Sequence, residues 1–116
     1  MVLLEGCADP YSHKVVRSSM GAVFRTEVIR STWAQVSAAC REAGIRVGVT
    51  ALSDRAMDLR QADLKTMAVV IGSEGQGVRS EILNNADAEL IIPMNPKCES
   101  LNAAVAATIV MWQMKL

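Results

Sequence analysis

Aromatic side chains are scarce in this sequence: two tryptophans, one tyrosine and one phenylalanine in 116 residues. A core must therefore come from aliphatic side chains, alanine and the seven methionines, within a composition that is 51% apolar. Neither sign of charge is in excess, since 12 Lys and Arg balance 12 Asp and Glu. Nucleic-acid binding by bulk charge is thus not advertised, and any such contact has to come from a local patch or from a part outside this chain. Histidine is nearly missing. His13 stands alone beside a turn, without an obvious triad partner, which argues against a His-based hydrolase. Cys7, Cys40 and Cys98 are odd in number and lack CxxC spacing, so they form neither a zinc set nor a disulfide framework. Reduced thiols in a cytoplasm are the simplest reading. No HExxH, DxDxG or Cys/His cluster points to a metal. Long apolar runs are missing too. Residues 103–116 are the most apolar, but they fall short of the ~20 residues a bilayer span takes and carry Thr108, Gln113 and Lys115. Residues 1–4 are too short, and lack the basic lead, for a signal peptide. What is left is a single domain over residues 1–116. Such a chain can bury roughly two-thirds of its unfolded surface without metal or disulfide.

Val2, Leu3 and Leu4 read as the end of a strand. A strand that opens at residue 2 with no lead-in predicts that the domain begins upstream. A turn ending in Pro10 follows. Ser12 can then cap a helix through about Phe24, with Val15, Val16, Ser19, Met20, Val23 and Phe24 on one face. Thr32 with Gln35 forms a capping box for a second helix. Its apolar stripe is Trp33, Val36, Ala39, Cys40 and Ala43, and Gly44 ends it. Residues 45–50 form a β-branched strand. Residues 51–66 are polar and weakly periodic, a loop with one helical turn after Asp54. Residues 67–71 are a continuous apolar run, as expected of a strand covered on both faces. A glycine-rich loop (72–77), a short helix capped by Ser80 and reaching about Ala86, and a strand over residues 90–92 ended by Pro93 come next. A final helix starts near Ser100 and runs to the chain end. Short apolar strands alternating with helices predict an α/β domain with a mainly parallel sheet.

Three stretches are candidates for chemistry. Gly72, Ser73, Glu74, Gly75, Gln76 and Gly77 follow a buried strand, where glycines let backbone approach a ligand. A tight strand-to-helix turn explains them equally well, and neither GxGxxG nor GK[ST] spacing is present. Ile91, Ile92, Pro93 and Met94, then Glu99, Ser100, Leu101 and Asn102, join a strand to a helix start, where backbone N–H groups can hold an anion. Ser100 reads as the N-cap. Asn102, in the first turn of an otherwise apolar helix, is either a satisfied structural amide or a ligand contact. Lys14, Arg17 and Arg25 fall in a stretch without acids. A solvated helix face is their plainer account. Gly21 inside that helix costs ~1 kcal/mol against alanine, so close packing or a ligand would explain it.

Together these stretches resemble the SpoU-type family of RNA 2′-O-ribose methyltransferases, within the SPOUT superfamily. The family's middle motif is similar to the run from Val70 to Val78, its last motif to Ile91, Ile92, Pro93 and Met94 with the run from Glu99 to Ala106, and its lysine/arginine-serine-glycine-alanine helix to the stretch from Lys14 to Phe24. The resemblance covers nearly the whole chain. The family's first motif, an asparagine, a glycine and an arginine at the start of a helix, has no counterpart here. The domain is therefore expected to lack a strand and a helix of roughly 25–40 residues at its N-terminus. Pro96 and Cys98 also stand where the family commonly has small or aliphatic residues, which is expected to alter loop shape and not chemistry.

The resemblance implies an α/β knot, in which the C-terminal segment threads a loop, a rare exception among folds. It implies that S-adenosylmethionine is held by backbone around Thr50, Ala51 and Leu52, around Gly72, Glu74, Gly75 and Gly77, and from Ile92 through Met94 and Ser100 to Leu101, with Met94 and Leu101 flanking the adenine. Methyl transfer would go in line to a ribose 2′-hydroxyl of tRNA or rRNA. Ser100 and Asn102 would position the reacting groups, Glu74 would hold the family's arginine, and Lys14, Arg17 and Arg25 would meet RNA. A homodimer is expected through the last helix, apolar nearly all round. The chain alone is expected to bind cofactor and to be inactive without the missing arginine. The main alternative is a knotted dimeric module that holds RNA or cofactor and transfers nothing. A weaker one is a small nucleotide-binding protein using residues 72–77.

Overall fold

A computed structural model describes residues 1–115 of the chain. It divides into two compact units, Met1–Ala39 and Cys40–Leu116.

The first unit is built on little regular structure. Strand β1 (Val2–Leu3) pairs in parallel with β2 (Ile29–Arg30). β2 is a two-residue strand that no local pattern foretold. Ser12 caps helix α1 (His13–Ser18), its hydroxyl accepting from Val15 N at 3.4 Å. The helix stops six residues early. Met20 (φ 50°) and Gly21 (φ 82°) both take left-handed backbone, and the chain re-forms as a 3₁₀ turn over Ala22–Phe24. Gly21 is therefore a hinge between two short pieces and not a helix-interior residue, and nothing lies near the Cβ it lacks. The face read at helical spacing is split accordingly: Val23 is buried, whereas Met20 and Phe24 are exposed. Helix α2 (Trp33–Glu42) opens on the expected capping box: Gln35 N donates to Thr32 Oγ1 and Thr32 N to Gln35 Oε1, each at 3.2 Å.

The second unit holds the main core. After Gly44 (φ 67°), β3 (Arg46–Thr50), β4 (Met57–Asp58), β5 (Met67–Val70) and β6 (Ala88–Ile91) form a wholly parallel sheet in the order β4-β6-β3-β5. β4 and the 3₁₀ turn after it (Leu59–Gln61) lie in the stretch read as loop. Helix α3 (Ser80–Asn85) has Arg79 at its cap position, so Ser80 is the first helical residue and not the cap. Helix α4 (Ala103–Lys115) starts three residues later than expected. Its reading to the chain end reaches residue 116, outside the described residues. Leu59, Leu64, Met67, Leu90 and Val110 form the buried cluster, joined by Val69, Ile71, Ile92, Ile109 and Met114. This cluster is aliphatic, with Met67 inside it and Met114 at its edge, in keeping with the scarcity of aromatics. Cys7, Cys40 and Cys98 are free thiols.

Candidate functional site

Parallel strands leave their carboxyl ends on one side, and in open α/β sheets ligands gather there. In the second unit β3 is paired with β5 through Val49 and Val70, and with β6 through Thr50 and Leu90. The three segments that the family resemblance assigns to the cofactor, after Thr50, after Val70 and after Ile91, therefore leave the sheet side by side. They are also tied together. Thr50 Oγ1 donates to Val70 O at 3.3 Å, and Ala51 N to Leu90 O at 3.0 Å.

The glycine loop owes its sequence first to backbone geometry. Ser73 and Gly77 exchange two backbone hydrogen bonds, 3.1 and 2.9 Å long, pinching the loop shut. A Cβ on Gly72 would stand 2.3 Å from the carbonyl carbon of Gly77, so no other residue fits without opening the pinch. Of the two explanations read from sequence, the tight turn thus has a direct steric basis. The loop tip leaves Glu74, Gly75, Gln76 and Gly77 exposed.

At the start of α4 the cap is Asn102, not Ser100. Asn102 Oδ1 accepts from Ala104 N at 2.9 Å and from Val105 N at 3.3 Å, and Asn102 O accepts the first helical bond from Ala106 N at 2.9 Å. This is ordinary N-cap behaviour. Ser100 lies in the irregular segment before it, exposed. With Oδ1 used by the helix, the amide's other end is free to point away, and Asn102 Nδ2 donates to Glu74 Oε1 at 2.7 Å. The glycine loop and the α4 cap are thereby joined across 28 residues of sequence. Asn102 is exposed, so its amide is satisfied at the surface.

The residues named for a cofactor differ in exposure. Thr50, Ala51, Gly72, Met94 and Leu101 are half-buried. Ile92 is half-buried and packs against the core cluster. Leu52 is 63% exposed. In the first unit, Lys14 and Arg17 share a face of α1 and, with His13 and Ser18, line an open depression of about 420 Å³. Arg25 is exposed after the 3₁₀ turn and is not part of that lining.

One polar cluster escaped the sequence reading. Glu89, inside β6, accepts from Ser53 Oγ and, through Oε1, from Arg55 Nη2 at 3.1 Å. The available signal was an acid in the middle of a short apolar strand. Away from this site, Arg60 hydrogen-bonds to Asp58 and holds its carboxyl below the usual aspartate range. Among the described residues no group of three or more His, Cys, Asp or Glu is placed to hold a metal ion, and no helix is long and apolar enough to cross a membrane.

The 23S rRNA (guanosine(2553)-2'-O)-methyltransferase RlmP of Bacillus subtilis is 32% identical over 115 residues, which is 99% of this chain and 46% of that protein. The tRNA (guanosine(18)-2'-O)-methyltransferase of Thermus thermophilus is 40% identical over 74 residues, 63% of this chain and 38% of that one. Among solved structures, the AdoMet-bound rRNA methyltransferase from Sinorhizobium meliloti superposes with a TM-score of 0.90 at 30% identity, covering 98% of this chain and 44% of that one. The chain thus spans less than half the length of these relatives. The profile of the SpoU rRNA Methylase family matches residues 1–112. The chain belongs to the SpoU rRNA Methylase family.

Proposed function

We propose that this chain carries the cofactor-facing and ribose-facing portion of an S-adenosylmethionine-dependent RNA 2′-O-methyltransferase. The observation that carries the reading is the 2.7 Å bond from Asn102 to Glu74. It gathers two of the three polar residues named for catalysis at the carboxyl ends of β3, β5 and β6, with Ser100 two residues before Asn102.

The residues present suit S-adenosylmethionine. Met94 and Leu101 are apolar and half-buried, side chains of the type that would flank a purine. The backbone around Thr50, Ala51 and Leu52, around Gly72, Glu74, Gly75 and Gly77, and from Ile92 to Ser100 offers donors and acceptors without a metal. When bound, the cofactor supplies an already activated methyl group. The chain's own task is alignment and exclusion of water. Asn102 cannot rotate its amide without losing the α4 cap, so Glu74 is presented in one orientation. Ser100 and Asn102 orient a ribose hydroxyl, a poor nucleophile until polarised. None of the three is a strong base held free for proton removal, and that favours the second reading, a module that binds RNA or cofactor and transfers nothing.

The finer points belong to the same proposal. The fold is an α/β knot, supported by the insertion of β6, last in sequence, between β3 and β4. Residues 1–116 act as one functional domain, although they divide into two compact units. RNA, transfer or ribosomal, is met by Lys14, Arg17 and Arg25. A homodimer, cytoplasmic and metal-free, forms through α4, whose Val105, Met111 and Trp112 are 46%, 59% and 70% exposed.

Two measurements test this. Calorimetry with S-adenosylhomocysteine should give heat below millimolar ligand; none from folded protein overturns the reading. A labelled-methyl transfer assay on cellular RNA compares the 116-residue chain with one extended by the family's asparagine-glycine-arginine motif. Only the extended chain is expected to turn over, because loss of a positioned acid–base group costs about 10²–10⁴-fold. Turnover by the shorter chain overturns the need for that arginine, and inactivity of both favours the binding module.

A further inference from the structure

The chain leaves β3 beside Leu90 and enters β4 beside Leu90 again: Thr50 flanks it on one side and Met57 on the other. Residues 51–56 therefore step from one flank of β6 to the other across its face. A parallel crossover ordinarily takes a dozen or more residues. Far fewer suffice here because β4 starts at the level where β3 stops, so the chain moves only sideways, two strand spacings of ~10 Å in all. This strap is tied to β6 at its start by Ala51 N to Leu90 O, 3.0 Å, and closes on itself at its far end by Ala56 N to Ser53 O, 3.1 Å.

Between those ends it is hooked by one side chain. Side chains alternate along a strand. Leu90 points into the core, and Glu89 to the opposite face. The Glu89 side chain is 16% exposed, and its carboxylate accepts from Ser53 Oγ on one oxygen and from the 86% exposed Arg55 on the other. A carboxylate buried to that degree is costly unless donors compensate it, and both donors here belong to the strap.

We propose that Glu89 is a positioning residue, the post that fixes the strap across β6 and so sets the course of Thr50, Ala51 and Leu52. Ser53 directly follows Leu52, so its bond to Glu89 determines how the backbone leaves the proposed cofactor segment. Arg55 closes the outer side. The inference rests on the methyltransferase reading for its functional consequence but not for the strap itself.

The test uses Glu89→Leu, Glu89→Gln and Arg55→Ala, each read by S-adenosylhomocysteine affinity and by amide hydrogen exchange. Glu89→Leu should weaken binding on the order of tenfold and speed exchange of amides 51–56, with β3 and β5 amides unchanged. Glu89→Gln keeps an acceptor for Ser53 and should recover most of the affinity. Arg55→Ala removes an exposed arm and should cost about twofold or less. Wild-type affinity in Glu89→Leu overturns the proposal, as does a loss that tracks faster exchange throughout the sheet. Should Glu89→Leu not fold, the double variant Ser53→Ala with Arg55→Ala removes the same two bonds from the strap side and is read in the same way. If the unaltered protein takes up no ligand, the methyltransferase reading falls, and strap exchange alone decides whether Glu89 is its post.

Discussion

The two units of this chain solve the problem of order differently. Met1–Ala39 is organised by a pair of two-residue strands, a six-residue helix and capping bonds, and leaves Tyr11, Met20 and Phe24 in solvent. Cys40–Leu116 is organised by a four-stranded parallel sheet around Leu90 and Val49, which are 1% and 0% exposed. The polar constellation at Glu74 and Asn102 rises from the second unit. A four-stranded sheet fixed by core packing can hold several loops in register at its strand ends, whereas the first unit has one pair of two-residue strands to do so.

The largest test of this contrast is a core truncation in each unit. Leu90→Ala should cost about 2–5 kcal/mol, read as a lowered urea midpoint. Val23→Ala, in the unit with less packing, should cost about 1–2 kcal/mol. Equal losses would erase the distinction.

Two glycines sharpen it next. Gly72→Ala drives a Cβ into the Gly77 backbone at 2.3 Å and should cost about 1–3 kcal/mol, with S-adenosylhomocysteine affinity falling as the pinch opens. Gly21→Ala meets no atom but must hold φ at 82°, so about 1 kcal/mol is expected. Thermal denaturation ranks the two, and a larger loss at Gly21 would contradict the steric account of Gly72.

Asn102 separates a structural duty from a proposed functional one. Asn102→Ala removes the α4 cap and should cost about 1 kcal/mol in thermal stability. Asn102→Ser keeps a capping oxygen and loses the donor to Glu74. It should melt close to wild type while methyl transfer in the extended chain still collapses. Retained transfer in Asn102→Ser would leave Asn102 as a cap only.

The smallest effect is expected at Asp58. The hydrogen bonds from Arg60 lower its pKa in the folded state, so its contribution is present above the unfolded aspartate pKa and fades as pH falls through the lower folded value. NMR titration of Asp58 should show that depression, and Arg60→Leu should abolish it. Since the pair is open to water, the acid unfolding midpoint should barely move.

The Thr32–Gln35 capping box was legible because all its atoms lie within four residues. The run 67–71 was legible because a strand covered on both faces needs uninterrupted apolar residues. The helix drawn from Ser12 to Phe24 failed because spacing counts apolar positions and is blind to φ. Met20 and Gly21 turn left-handed between two groups of correctly spaced residues. β2 and β4 were illegible for another reason. Two residues carry no periodicity, and their partners lie 27 and 33 positions away in the registers Val2 with Ile29 and Met57 with Leu90. Of the site, residue types and order could be read, but not who caps α4 or whom Glu89 holds.

By itself, the sequence determined an α/β chain with an aliphatic core, no bulk charge, and motifs that place it in its family. Composition, periodicity and motif spacing are properties of the string. Only the tertiary structure decided that Asn102 and Glu74 meet, that Gly72 answers to the backbone of Gly77, and that Glu89 is covered by residues 53 and 55. The first and last of these are contacts between segments far apart in sequence, brought together as β6 takes its place between β3 and β4, while the Gly72 contact is set by the fold of a single loop. Strand order is set by the burial of the whole sheet, a free energy that no local window contains.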